Sequence, residues 1–248
     1  MTHFIIPIAG AGSRFQQIGI RIPKWSLQIG EKTVLELAIE SLPILSSDTL
    51  SIIALESDLA IAKSIIGRNR DTGVNNEIIM VKEILKGQAR TVERGIEESS
   101  LIGKDNLVIW CGDSFVLNDE LKKIPRQGNW LATTELEGNH WSFASIEGEK
   151  VIETAEKKRI SNHASIGLYG FSNAVTYLDL VRKANLNSEV AEFYIAPLYN
   201  NLISKMLPVT NFSISKDCFI SAGTPAEIYE NCTKNNWTLP KELKDVNF

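Results

Sequence analysis

The chain has 248 residues, enough for one large α/β core or two small ones. A hydrophobic share of 44% and a charged share of 23% are ordinary for a soluble globule, and a net charge of −4 argues against a general nucleic-acid binder, which normally shows a basic face. Cys111, Cys218 and Cys232 are an odd, scattered set without C-x-x-C, which argues against a disulfide scaffold or zinc site and suits a reduced, cytoplasmic protein. No apolar run nears membrane-spanning length and no basic leader precedes the first strand, so no membrane partner is expected.

Short apolar strands alternate with helical patterns, the mark of a mostly parallel sheet. The spacing predicts strands near 3–8, 50–55, 77–81 and 106–111, and helices near 33–42, 58–66, 89–98 and 117–124. After residue 130 the texture changes. Segments 130–136, 141–146, 150–154 and 164–171 read as strands joined by short turns such as Glu147-Gly148. Helices follow near 173–184 and 193–204, then a strand and a last helix after Gly223-Thr224-Pro225. No linker, repeat or low-complexity stretch interrupts the pattern, so residues 1–248 are expected to form a single domain.

The most informative stretch is IIPIAGAGSRFQQIGIRIPK, residues 5–24. A β-branched run (Ile5, Ile6, Ile8) breaks into Gly10-Ala11-Gly12, continues through Ser13-Arg14, and reaches Pro23-Lys24. A strand feeding a glycine turn lets backbone N–H groups approach an anion closely, and Arg14 and Lys24 add positive charge beside it. That constellation suits a polyphosphate. A dinucleotide fingerprint would need a third glycine at position 15, which is Phe15, and an acid about twenty residues on; Glu56, the first acid ending a plausible second strand, is too far away. A Walker pattern is absent. The plainer reading is a structural turn with a solvated Arg and Lys.

G-x-G-[ST]-R followed by P-K resembles the signature of the sugar-nucleotide pyrophosphorylases, nucleotidylyltransferases that join a nucleoside triphosphate to a sugar phosphate. The resemblance implies a Rossmann-like, mostly parallel α/β sheet flanked by helices. It also implies a nucleotide-binding half, 1–128, and an acceptor-binding half, 129–248. Ala9, Gly10, Ala11, Gly12 and Ser13 would then hold phosphates, with Arg14 and Lys24 as catalytic cations. In LVIWCGDSFV a buried strand ends in Gly112-Asp113, where open parallel sheets place their ligands. A carboxylate there suits Mg²⁺, and Asp113 matches the family's metal acid. Its other reading is a helix N-cap. Gly87-Gln88 precedes a helix, and Gln88 is the candidate for reading the base.

On the acceptor side, ETAEKKRISNHASIGLYGF is similar to the family's E-K-P stretch followed by S-N-x-A-x-x-G-x-Y. By that likeness Lys157 contacts the acceptor phosphate, Glu156 lies beside it, and Gly167 admits the acceptor to the backbone; Lys158 replaces the usual proline. AEFYIAPLYNNLI resembles the sugar-pocket helix and makes Glu192 an acceptor-binding acid. CFISAGTPAEI resembles a segment that often carries a second metal acid two residues before its glycine, but here that position is Ser221. Asp217 lies about 13 Å upstream on an extended strand, too far to take its place. His3, His140 and His163 show no ligand spacing.

The implied reaction makes an activated sugar nucleotide for surface polysaccharide synthesis, with Mg²⁺, a nucleoside triphosphate and a phosphorylated acceptor as partners. A homo-oligomer is compatible with the sequence. Two other readings share the signature. One is a cytidylyltransferase for a phosphocholine-like acceptor, with Trp141 or Tyr194 as an aromatic cage. The other is a non-catalytic nucleotide-binding module, motivated by Ser221.

Overall fold

The computed structural model describes residues 1–68, 73–103, 105–186 and 192–246. β1 (Thr2–Pro7) is buried throughout because both of its faces are covered: Phe4 and Ile6 enter one core and Ile5 the other. The glycine turn leads into α1 (Ser13–Gln17), the small hairpin of β2 (Gln28–Ile29) and β3 (Lys32–Thr33), and α2 (Val34–Ser41). A reciprocal cap starts α2, with Glu36 N–H donating to Thr33 Oγ1 and Thr33 N–H to Glu36 Oε2. β4 (Thr49–Leu55), α3 (Leu59–Arg68), β5 (Asn75–Val81), α4 (Gln88–Glu98) and β6 (Asn106–Trp110) complete the first half.

The remaining elements are β7 (Ser114–Val116), β8 (Trp130–Glu135), β9 (Ser142–Glu147), β10 (Lys150–Glu156), β11 (His163–Phe171), α5 (Ala174–Leu186), α6 (Tyr199–Ile203), β12 (Thr210–Ser213), β13 (Phe219–Ser221) and α7 (Pro225–Asn235). One sheet runs through both halves in the order β5-β4-β1-β6-β11-β8-β12-β10-β9. Its first four strands are mutually parallel, as expected. The second half is mixed: β11 runs antiparallel to β6 and β8, and β12 runs parallel to β8 but antiparallel to β10. Apolar cores fill both faces of the sheet. A third core, around Phe15, Phe115, Ile220 and Ile228, packs α7 and the β7–β13 pair against the glycine turn.

Two expected helices are shorter than their patterns suggest. Over 117–124 only a 3-10 turn forms, Glu120–Lys123, because Asn118 and Asp119 both take left-handed backbone (φ 59° and 57°). Over 193–204 no regular element forms before a 3-10 turn at Ala196–Leu198, and the chain becomes α-helical only in α6. There Phe193 is held by the loop before α4: its N–H donates to Lys86 O, and its carbonyl accepts from Ala89 N–H, both at 3.0 Å. β7 and β12 have no counterpart in the sequence reading; each is short and drawn into a sheet by its partners.

Candidate functional site

β1 and β6 are parallel neighbours, so their carboxyl ends lie side by side, and each ends in a glycine turn. After β1, Phe15 is buried and anchors the turn, while Gln16 Nε2 donates to Ala11 O at 2.8 Å. The backbone N–H groups of Gly10, Ala11, Gly12 and Ser13 have no protein acceptor among the described residues. Gly12 adopts φ 61°, a conformation that costs glycine little. The segment that follows is pinned by Trp25, 3% exposed, whose indole N–H donates to Ile8 O at 3.0 Å. That bond sets Lys24 over the strand ends.

After β6, Gly112 has φ 70°, and a Cβ there would lie 2.7 Å from Ile6 and 2.9 Å from Ile8, so the two strand ends can close only around a glycine. Asp113 follows, and its Oδ2 accepts from Lys24 Nζ at 2.6 Å, with both side chains about three-quarters buried or slightly less. The Asp113 carbonyl accepts from Ala222 N–H at 2.8 Å, bringing the Gly223-Thr224-Pro225 segment alongside.

Two cavities of about 220 Å³ each meet here. Pro7 to Ala11, Gly87, Gln88, Gly112 and Glu192 line the first. Arg14, Glu156, Gly167, Trp141, Ser221 and Glu227 line the second. Lys24, Gln88, Cys111 and Asp113 belong to both. Gln88 Nε2 donates to Cys111 Sγ at 2.8 Å; burial, then the charge of Asp113, pushes that thiol far up, so it stays protonated and neutral. Gly167 has φ 83° and would drive a Cβ to 2.7 Å from Cys111 Sγ.

In the second cavity Glu156 accepts from Ser142 Oγ, and burial raises its carboxyl pKa above the usual range. Trp141 lines this space; Tyr194 lines neither cavity. Arg14 has no hydrogen-bond or ion-pair partner among the described residues. Lys157 lines neither cavity and has φ 52°; its Nζ donates to Tyr194 Oη and sits 4.5 Å from the ring centroid. That hydrogen bond raises the ammonium's pKa. Glu192, expected at the acceptor, lines the first cavity and not the second.

Ser221 brings a finding that its own chemistry does not suggest. Its Oγ donates to Glu227 Oε2 at 2.8 Å, and a Cβ on Gly223 would lie 3.3 Å from that oxygen, 3.6 Å from Asp113 Oδ2 and 3.7 Å from Ser221 Oγ. Glu227 thus delivers a carboxylate to the place where Ser221 lacks one. In sequence it reads as the third residue of a helix with Thr224 as cap, and Glu227 N–H does donate to Thr224 Oγ1 at 3.1 Å. Its carboxylate, however, turns into the cavity and faces His140 Nε2 at 3.7 Å. Asp217 contacts Lys234 and takes no part in the site.

No family model matches the sequence, and no curated protein matches it. Solved structures do. A nucleoside-diphosphate-sugar pyrophosphorylase from Vibrio cholerae RC9 is similar at 29% identity and TM-score 0.82, over 93% of this chain and 99% of that one. A Bacillus anthracis structure described as a glucose-1-phosphate thymidylyltransferase aligns over 100% of this chain and 97% of that one, at 20% identity and TM-score 0.78. The inositol-1-phosphate CTP transferase of T. maritima aligns over 100% and 98%, at 14% identity and TM-score 0.73, which at that identity speaks for the fold alone. In its fold, and in its strand-end glycines, its Arg14 and its Pro23-Lys24, the chain is similar to nucleotidyltransferases of the sugar-nucleotide pyrophosphorylase type.

Proposed function

We propose that the protein joins a nucleoside triphosphate to a sugar phosphate, releasing pyrophosphate and giving an activated sugar for polysaccharide-building glycosyl transfer. The observation that carries this reading is the junction at Lys24 and Asp113, where a cavity rimmed by free backbone amides meets a polar cavity of similar size. Two substrates in these cavities would present their phosphates to each other at one point.

In the reaction, an anionic oxygen of the acceptor phosphate attacks the α-phosphorus in line. A new P–O bond forms, the bond to the β-phosphate bridge breaks, and its electron pair leaves with pyrophosphate. No proton needs to be removed, so positioning and charge neutralisation supply the catalysis. The amides of Gly10 to Ser13 and Arg14 hold the outer phosphates, with Ala9 and Gly112 giving the backbone room. Lys24 leaves Asp113 for the charge developing at the α-phosphate. Gln88 reads the base, and Glu156 and Gly167 hold the acceptor.

The residues present also fit Mg²⁺. The gap that Gly223 leaves open is ringed by oxygens of Asp113, Glu227 and Ser221, the ligand type this hard cation takes. Asp113 and Glu227 would hold it, and when bound it would neutralise phosphate charge. Calorimetry with Mg²⁺ complexes of CTP, UTP, GTP, ATP and dTTP tests the cradle. Binding heat for at least one of them, reduced in Lys24→Ala, is expected; no heat for any would refute the reading.

A further inference from the structure

We propose that Glu192 is a nucleotide-side residue that accepts hydrogen bonds from the ribose hydroxyls, so that this enzyme selects ribonucleoside over 2′-deoxyribonucleoside triphosphates. The inference rests on the triphosphate reading above and deepens it. Three observations fix Glu192 to that side. It lines the cavity shared by the glycine turn and the loop before α4, and it does not line the acceptor cavity. Its side chain packs on Gly87: a Cβ there, at φ 91°, would meet Glu192 Cγ at 2.8 Å and the Phe193 backbone at 2.5 Å. The next residue, Phe193, is tied to the same loop through Lys86 O and Ala89 N–H.

With the phosphates at the glycine turn and the base against residues 84–88, the ribose lies between them; of the two carboxylates lining this cavity, Asp113 is paired with Lys24, which leaves Glu192 for the sugar. Its own contacts leave it able to accept. Tyr194 Oη donates to its Oε2, and Lys157 Nζ stands 3.9 Å away. A carboxylate has about four lone-pair sites, so these partners do not exhaust it. A vicinal diol presents two donors to it, whereas a 2′-deoxyribose presents one. Hydrogen bonds to charged groups are worth enough to give roughly tenfold discrimination.

The test compares CTP with dCTP, UTP with dUTP, GTP with dGTP and ATP with dATP, by KM in pyrophosphate release and by calorimetric Kd, in wild type, Glu192→Gln and Glu192→Ala. The ribo form is expected to be favoured roughly tenfold for whichever base is used. In both variants that ratio should fall to within about twofold, with the acceptor KM unchanged. Equal use of both sugars by the wild type, a ratio that survives both substitutions, a change in base preference alone, or a rise confined to the acceptor KM would each overturn it. Those results leave the transfer reaction standing, whereas binding of no triphosphate at all would remove the function and this inference together.

Discussion

The two cavities that meet at Lys24 and Asp113 are built in opposite ways. The first is shaped by backbone at three glycine-bearing turns: Gly10-Ala11, whose amides have no protein acceptor among the described residues, the tight approach of Gly112 to β1, and the left-handed Gly87 against Phe193. The second is lined by side chains contributed by segments far apart in sequence, from Arg14 through Trp141 and Glu156 to Glu227. Backbone-built sites restrict which residue can occupy a position. Side-chain-built sites depend on which elements the fold brings together.

The sharpest way to break this contrast is to remove the group on which both cavities converge. Lys24→Ala is expected to lower kcat by roughly 10²-fold or more, as loss of a charge-stabilising donor does, while circular dichroism stays native. Near-normal turnover would show that the junction is not where charge develops.

A second test reads the far end of the same strands. His3 is buried, with Nδ1 near Thr49 Oγ1 at 2.5 Å and Nε2 near Ser51 Oγ at 3.0 Å, and burial lowers its pKa from 6.5 to about 4 despite the charge of Glu77. The unfolded state therefore binds a proton between those values that the folded state refuses. Stability is undiminished by this group above pH 6.5 and falls as the pH drops towards 4, by about 2 kcal/mol at pH 5. Denaturation of wild type and His3→Gln at both pH values should show the loss only in wild type, with turnover per folded molecule unaffected.

A matched pair of substitutions sharpens the comparison further. Gly87→Ala forces a side chain into Phe193 backbone and should raise the triphosphate KM about tenfold with little change for the acceptor. Glu156→Gln should do the reverse, raising the acceptor KM roughly fivefold and leaving the triphosphate KM within about twofold. If both variants moved the two KM values together, the cavities would not be separate subsites.

The same contrast explains what could be read from the sequence. Gly12, Gly112 and Gly167 stand out because few other residues tolerate their conformation or their contacts, and the apolar runs of β1 and β6 place the first two just past strand ends. Asp113 is legible for the same reason, as the residue following such a glycine. Glu227 is not, because a capping acid and a cavity-facing acid look alike at the third position of a helix; only the β7–β13 pairing, itself invisible in short mixed segments, brings it to Asp113. The placement of Glu192 and Lys157 is not legible either, because it is set by the bond from Lys157 to Tyr194 and by the tie between Phe193 and the segment 86–89, both long-range contacts.

The most direct measurement is pyrophosphate release across a matrix of CTP, UTP, dTTP, GTP and ATP with Mg²⁺ against phosphorylated sugars, polyols and amino alcohols. At least one pairing of a ribonucleoside triphosphate with a phosphorylated sugar should release pyrophosphate in step with loss of both substrates. Absence of release from every pairing, or release that needs no acceptor, would contradict the account.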